Sequence, residues 1–235
     1  MTTRQQTEPV TQQAHHRSHD LPADLTEMLT QEFWDERYAS RDQLWSGNPN
    51  QRLVEQVSDL EPGTALDVGC GEGADAIWLA EQGWRVTGVD VSKVALARGA
   101  QQAASVGQEI ADRIAWERAD LLTWEPAARQ FDLVSAHFIH MPKAERESLF
   151  RRLAAAVTAG GSLLIVGHHP SDVHTSIGRP HHLTDWMYTA EEVAELLGDD
   201  AWRIVVLAAP AREAKDPDGQ TITIHDAVLR AVRHS

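Results

Sequence analysis

The sequence predicts an α/β chain built on a doubly wound, seven-stranded sheet, three layers deep as α/β/α, with an antiparallel hairpin at its C-terminal end. Three observations carry that expectation. Short apolar runs of strand length alternate with segments of helical periodicity between residues 50 and 197. A glycine-rich turn, Gly69-Cys70-Gly71-Glu72-Gly73, joins the first of those runs to the helix after it. Two strand-like runs, 202–207 and 222–232, then follow each other with no helix between them. At 235 residues, 42% hydrophobic and 24% charged, the chain supports one sizeable core and is short for two.

In chain order, residues 1–22 are Gln/Thr/His-rich and non-periodic, the composition of a disordered tail. A single domain is expected over 23–235. Leu25, Met28, Leu29 and Phe33 form a helical stripe running towards Tyr38. Asn50 caps a helix that turns Leu53, Val54 and Val57 inward. Ala65-Leu66-Asp67-Val68 ends the first strand, and 74–80 is the helix beyond the glycines. The second strand, 84–90, ends in Asp90, and Ser92 caps the next helix. The third strand, 113–118, leads into Ala119-Asp120-Leu121, and 131–136 is the fourth. An amphipathic helix over 143–157 turns Leu149, Phe150 and Leu153 inward, ends at Gly160-Gly161, and gives way to a fifth strand over 162–167. Thr189 and Glu192 have the spacing of a capping box. Residues 209–220, polar and carrying Pro210, Pro217 and Gly219, read as the long connection of the final hairpin.

A strand, a glycine turn and a helix place backbone N–H groups and a positive helix end at the tip of a sheet. Glycine is required where the turn needs unusual φ/ψ and where a ligand must approach the backbone without meeting a Cβ. Gly69, Gly71 and Ala74 satisfy the G-x-G-x-x-G/A spacing of a dinucleotide site. Asp67, however, lies two residues before the first glycine, where its charge would repel a pyrophosphate and suit an ammonium or sulfonium group. Asp90, about 20 residues on, is placed to accept hydrogen bonds from a ribose diol, which suits either ligand.

Taken together, the order D-x-G-x-G-x-G from Asp67, the acid at Asp90, the Asp120-Leu121 pair and the run 131–136 resemble the class I S-adenosylmethionine (SAM) dependent methyltransferases, of the small-molecule type that includes the tellurite and thiopurine enzymes. The resemblance implies a Rossmann-like fold, SAM as cofactor and S-adenosyl-L-homocysteine as product. By resemblance, Asp67, Gly69, Cys70, Gly71 and Gly73 form the cofactor loop and Asp90 with Val91 the ribose end. Asp120 would then meet the adenine amino group, Leu121 cover the ring, and His137 contact the methionine part. Trp34, Tyr38 and Trp45, in a W-x-x-x-Y and W-x-G pattern, would form a lid within an N-terminal helical region, 23–60. Aromatic faces beside a sulfonium gain cation–π attraction; the alternative for each is a place in the core. Cys70 reads as a small packing residue rather than a reactive thiol.

Ligands of open α/β sheets sit beyond the carboxyl ends of the strands, which selects the residues after strands four and five. His140, His168 and His169 are the catalytic candidates there, with His174, His181, His182, Trp186 and Met187 on the irregular stretch that follows. Three readings stand for these histidines: pocket wall, general base acting near neutral pH, or metal ligand. No spacing among them fixes a metal geometry, so no metal is expected. The expected reaction is direct in-line transfer of a methyl group from SAM to a small nucleophile, with a base needed for oxygen or nitrogen acceptors. Two alternatives remain at this point: a non-catalytic SAM-binding sensor or scaffold, and an NAD-dependent oxidoreductase. A net charge of −14 argues against nucleic acid and favours a neutral or cationic acceptor. The single cysteine fits a reducing compartment, and the absence of a long apolar run or a basic-then-apolar leader leaves no membrane partner and a cytoplasmic location as the expectation.

Overall fold

The computed structural model describes residues 25–175, 185–198 and 200–234. The expected tail over 1–22, and His181 and His182, lie outside the described residues. A 3-10 turn, Leu25–Leu29, is followed by α1 (Gln31–Ala39). The anticipated stripe breaks at Thr30, whose hydroxyl accepts the N–H of Phe33 at 3.2 Å and starts α1 afresh. Asn50 caps α2 (Gln51–Val57) by accepting the N–H of Arg52 at 2.8 Å.

The central sheet begins with β1 (Thr64–Val68), α3 (Ala74–Glu81), β2 (Arg85–Asp90) and α4 (Lys93–Val106). A short α5 (Gln108–Ala111), not foreseen from the sequence, precedes β3 (Ile114–Arg118) and β4 (Phe131–His137). Then come α6 (Lys143–Ala156), β5 (Val157–His168), a 3-10 turn Pro170–His174, and α7 (Ala190–Glu195). The chain finishes with β6 (Trp202–Ala208), β7 (Ala211–Lys215) and β8 (Thr221–Arg233). Seven strands run in the order β3-β2-β1-β4-β5-β8-β6, and β7 pairs with β8 off that path. The pairs among β1 to β5 are parallel, while β8 is antiparallel to β5, β6 and β7.

Helices cover both faces, which is why the inner strands read as unbroken apolar runs. On one face Leu53 and Val57 of α2 and Leu79 of α3 pack with Trp84, Leu133 and Leu164. On the other, Leu149, Phe150 and Leu153 of α6 and Val193 of α7 pack with Leu66, Val68 and Val134. The expected capping box is present: Thr189 Oγ1 accepts the N–H of Glu192, and the Glu192 carboxylate accepts that of Thr189. Among the described residues no helix is long and apolar enough to cross a membrane.

Two elements differ from the sequence reading. Gly160-Gly161 does not end α6; the helix stops at Ala156 and the glycines lie inside β5, where the pairing with β4 shifts register between Phe131 and Leu133. Gly160 takes φ +77°, the left-handed conformation of a bulge. The second difference is β7, which lies inside the polar stretch expected to be a bare connection. Its sequence, Ala-Arg-Glu-Ala-Lys, has no apolar face, because it pairs only with the first five residues of β8, Thr221 to His225. That half of β8 overruns β5, whose last partner pair is His168 with Asp226. The β7–β8 ribbon therefore projects past the carboxyl end of the parallel strands.

Candidate functional site

Beyond the carboxyl ends of β1, β2, β4 and β5 lies a cleft of about 1560 Å³, the place where open α/β sheets bind ligands. Its floor is the β1–α3 turn. Gly69, Gly71 and Gly73 take φ of +68°, +54° and +83°, left-handed values that cost a side-chain-bearing residue strain. The N–H groups of Gly69 and Cys70 both donate to Val89 O, at 2.8 and 3.0 Å, which ties the turn to β2. Gly73 is further constrained by packing: a Cβ there would lie 2.3 Å from the Trp116 ring, which also presses on Gly88 and Gly99.

Asp90 closes the floor on the β2 side. Its Oδ2 accepts the N–H of Gly71 at 2.9 Å and its Oδ1 that of Ser92 at 2.8 Å. Burial pushes its carboxyl above the usual range, and those hydrogen bonds offset part of the rise. Asp67, only 2% exposed, is held higher still, first by burial and then by the charges of Asp75 and Asp90. Its Oδ2 is buried with no hydrogen-bond partner. Beside it, His137 Nδ1 lies 2.7 Å from Asp75 Oδ2, the length of a charge-assisted hydrogen bond. A carboxylate only accepts, so Nδ1 carries the proton, while Nε2 is buried without a partner. Asp67, Asp75 and His137 each offer one ligand atom, all within 4.8 Å of one another. The result is a compact anionic niche with two unsatisfied polar atoms.

The N-terminal segment roofs this niche. Trp45 Nε1 donates to the Tyr38 hydroxyl at 3.0 Å, directly above Gly71, whose missing Cβ would meet that hydroxyl at 2.8 Å. Tyr38 is 3% exposed and Trp45 48%, so the first is packed in place and the second stands at the rim. Glu72 holds the roof from below: its Oε2 accepts the N–H groups of Leu44 and Trp45 at 3.1 and 3.3 Å, and its Oε1 meets Arg98 at 3.0 Å. Trp34 lies against Tyr38 with 6.0 Å between ring centres and donates Nε1 to Met28 O at 2.7 Å. Asp35 pins α1 to the start of α4 by accepting from Ser92 Oγ at 2.7 Å.

Every expected cofactor residue lies on this one cleft: the three aromatics, Asp67 with the glycine turn, Asp90 and Val91, Asp120 and Leu121, and His137. Cys70 behaves as a packing residue, its thiol pushed well up by burial and by the charges of Asp67 and Asp90. The catalytic candidates divide. His140 and His168 line the cleft and stack on each other with ring centres 4.8 Å apart. Phe138, held at φ +54°, packs on His168 at 4.5 Å. His169 lies off the cleft, where its Nδ1 meets Ser171 Oγ at 2.8 Å and caps the Pro170–His174 turn.

Sequence reasoning missed three parts of the site. Asp75 sits in the first turn of α3, where a carboxylate is ordinary because it complements the helix dipole, and its link to His137 spans the fold. Glu72, between the glycines, carried no signal of its grip on the roof. The β7–β8 ribbon supplies the far wall through Arg212, Lys215, Asp216 and Asp226, residues invisible until β7 is paired.

The family profile described as a methyltransferase domain matches residues 65–161. An uncharacterised methyltransferase of Mycobacterium tuberculosis is 32% identical over 148 residues, 62% of this chain and 70% of the relative. Trans-aconitate 2-methyltransferase of Rhizobium meliloti is 30% identical over 148 residues, 62% of this chain and 51% of the relative. The chain spans about half the length of several curated relatives it matches, 42% to 58%. The solved structure of the N-methyltransferase NodS from Bradyrhizobium japonicum, in complex with S-adenosyl-L-homocysteine, superposes with a TM-score of 0.64 at 19% identity, covering 87% of this chain and 98% of that one; it shows the shared fold. The oxidoreductase alternative falls with these findings. The chain belongs to the class I S-adenosylmethionine-dependent methyltransferases.

Proposed function

We propose that the methyl acceptor is a small molecule. The observation that carries this reading is the double roof: the Trp45 segment on one side and the β7–β8 ribbon on the other make the site a concave cleft rather than an open face. Its volume, about 1560 Å³, exceeds the roughly 300–1,000 Å³ of a single-ligand pocket and leaves room for a cofactor and an acceptor together. The net charge of −14 disfavours a phosphate backbone as partner. Trans-aconitate 2-methyltransferase, by its name, also acts on a small molecule.

When bound, SAM supplies a methyl group on a sulfonium sulfur, a leaving group that needs no proton from the protein. The chain's own residues would bind and orient. The niche of Asp67, Asp75 and His137 suits the ammonium group of the methionine part, with Asp67 Oδ2 and His137 Nε2 as the acceptors that lack a partner. Asp90 faces the ribose end. Asp120 Oδ1 accepts the N–H of Leu122 at 2.9 Å, which leaves Oδ2 for an adenine amino group while Leu121 covers the ring. Trp34, Tyr38 and Trp45 shut water out. His140 and His168 stand at the acceptor end, where either would take the proton from an oxygen or nitrogen nucleophile.

The test begins with calorimetric titration of S-adenosyl-L-homocysteine and NAD into the wild type and Asp90→Ala. Binding of the adenosyl ligand alone, lost in the variant, is expected. A screen with SAM against small nucleophiles, RNA and peptides follows. Methyl incorporation into RNA or protein only would refute the small-molecule reading, and SAM binding with no transfer would favour the non-catalytic alternative. With an acceptor in hand, replacing the true base among His140 and His168 by alanine lowers kcat about 10²- to 10⁴-fold. Unchanged kcat in both variants would remove the base.

A further inference from the structure

The far wall of the cleft carries an arginine clamped by a buried carboxylate, outside the set of residues expected to hold the cofactor. Asp226, 1% exposed, sits between two guanidinium groups. Arg52 Nε reaches its Oδ2 at 3.1 Å from α2, and Arg212 Nε reaches Oδ1 at 2.9 Å and Oδ2 at 3.1 Å from β7. The two arginines differ in what remains. Arg52 is buried, and its Nη atoms are taken by Glu55, at 2.9 and 3.2 Å, and by Ala211 O. Arg212 is part-exposed on the cleft, is fixed through Nε alone, and its two Nη atoms make no hydrogen bond among the described residues. A planar fork, immobilised by a buried carboxylate and with its outer edge open, is preorganised for an anion with two coplanar oxygens.

Its position matters as much as its charge. Asp226 is the register partner of His168, and cross-strand partners project from the same face of a sheet, about 4.5–5.5 Å apart at Cβ. The arginine fork therefore stands over the same end of the cleft as the His140–His168 stack. At the ribbon tip Asp216 Oδ1 accepts the N–H groups of Asp218 and Gln220, at 3.0 and 2.8 Å, while the carboxylate partner of Arg212 is Asp226. Lys215, three residues along β7, projects from the opposite face of the ribbon and donates to Thr221 Oγ1, so Arg212 carries the contact alone. The selectivity of this wall rests on the open donor edge of Arg212 and not on net local charge, since Asp216, Asp218 and Asp226 line the same cleft.

We propose that the acceptor is a small carboxylate-bearing molecule whose carboxylate is received by the open edge of Arg212, with its nucleophilic atom turned towards His140 and His168. The proposal rests on the small-molecule reading above and names its substrate class. It replaces the neutral or cationic acceptor suggested by net charge alone.

The experiment uses the full chain loaded with S-adenosyl-L-homocysteine, in wild type, Arg212→Gln and Arg212→Lys. Adenosyl binding is measured first in the same samples; its absence in the wild type would sink the methyltransferase reading itself. Malate, salicylate and glycine, each beside its primary amide, are then titrated by saturation-transfer NMR and assayed for methyl transfer with SAM. At least one acid is expected to be preferred over its amide by about 10- to 100-fold, the worth of one charge-assisted contact. Arg212→Gln abolishes that preference through KM, and Arg212→Lys restores part of it. Intact adenosyl binding with no Arg212-dependent preference for any acid overturns the proposal, as does transfer confined to amines, amides or added phosphate esters.

Discussion

Replacing Asp67 by asparagine is expected to make the free protein more stable and the cofactor complex weaker. The side chain is nearly inaccessible, and its Oδ2 has no partner. A buried polar group left unsatisfied costs about 1–3 kcal/mol, more when charged. The sign follows from its titration. Burial and the charges of Asp75 and Asp90 raise the folded-state carboxyl well above its ordinary 3.8, so between those two values the native chain keeps a proton that the unfolded chain has lost. Stability therefore falls as pH rises through that window, and asparagine removes the fall. At neutral pH the variant should gain about 1.4 kcal/mol for each pH unit by which folding raises the carboxyl, or about 2–4 °C in Tm for each kcal/mol. Binding moves the other way. A cationic ammonium favours ionised Asp67, so wild-type affinity for S-adenosyl-L-homocysteine should rise with pH until the carboxyl is fully ionised, with protons released on binding. The variant should bind about 10- to 150-fold more weakly, the equivalent of a 1.5–3 kcal/mol charged hydrogen bond, and lose that pH dependence. Thermal melts from pH 4 to 8 and calorimetry in buffers of different ionisation enthalpy measure both. An Asp67→Asn protein that binds as tightly as wild type, or is less stable across the range, would refute the argument.

Two further substitutions probe the roof and the turn. Trp45→Ala should weaken SAM by more than it weakens S-adenosyl-L-homocysteine, because only SAM carries the sulfonium charge; a difference of about 0.5–2 kcal/mol is expected, and equal losses would remove the cation–π role. Its stability should fall by about 1–3 kcal/mol, because half of the side chain is buried and the buried Tyr38 hydroxyl loses its donor. Gly73→Ala should cost about 2–4 kcal/mol in urea denaturation, from the left-handed φ together with the collision with Trp116. Adding Trp116→Leu should recover part of that loss, and no recovery would show that backbone strain alone is responsible.

The glycine turn and the carboxylates around it, the part of the cleft proposed to hold the cofactor, were legible because their signals are local. A turn requiring left-handed backbone declares itself through Gly69, Gly71 and Gly73, and the acid at Asp90 terminates a strand whose length the apolar run gives. The wall proposed to receive the acceptor was not legible, because it exists only through pairings between distant segments. Arg212 meets Asp226 only once β7 lies on β8, and within the proposed cofactor niche the Asp75–His137 contact is hidden for the same reason. A polar strand such as β7 has no apolar alternation to reveal it. One signal was available and overlooked: successive residues of a strand face opposite ways, so His168 and His169 could not both point into one pocket. Gly160-Gly161 misled for a different reason, since glycine marks a strand bulge as readily as a helix end.

The overrun of β8 past β5 divides the molecule's constraints unevenly. The residues proposed to hold the cofactor are spread through the N-terminal two-thirds of the chain and woven into the sheet, so they resist change. The wall opposite them is one hairpin attached by a single continuous strand, and hairpin length or sequence can vary at small cost in chain entropy. Acceptor preference should therefore be transplantable: grafting a different ribbon between Ala208 and Asp226 would redirect the enzyme without disturbing how it holds its methyl donor.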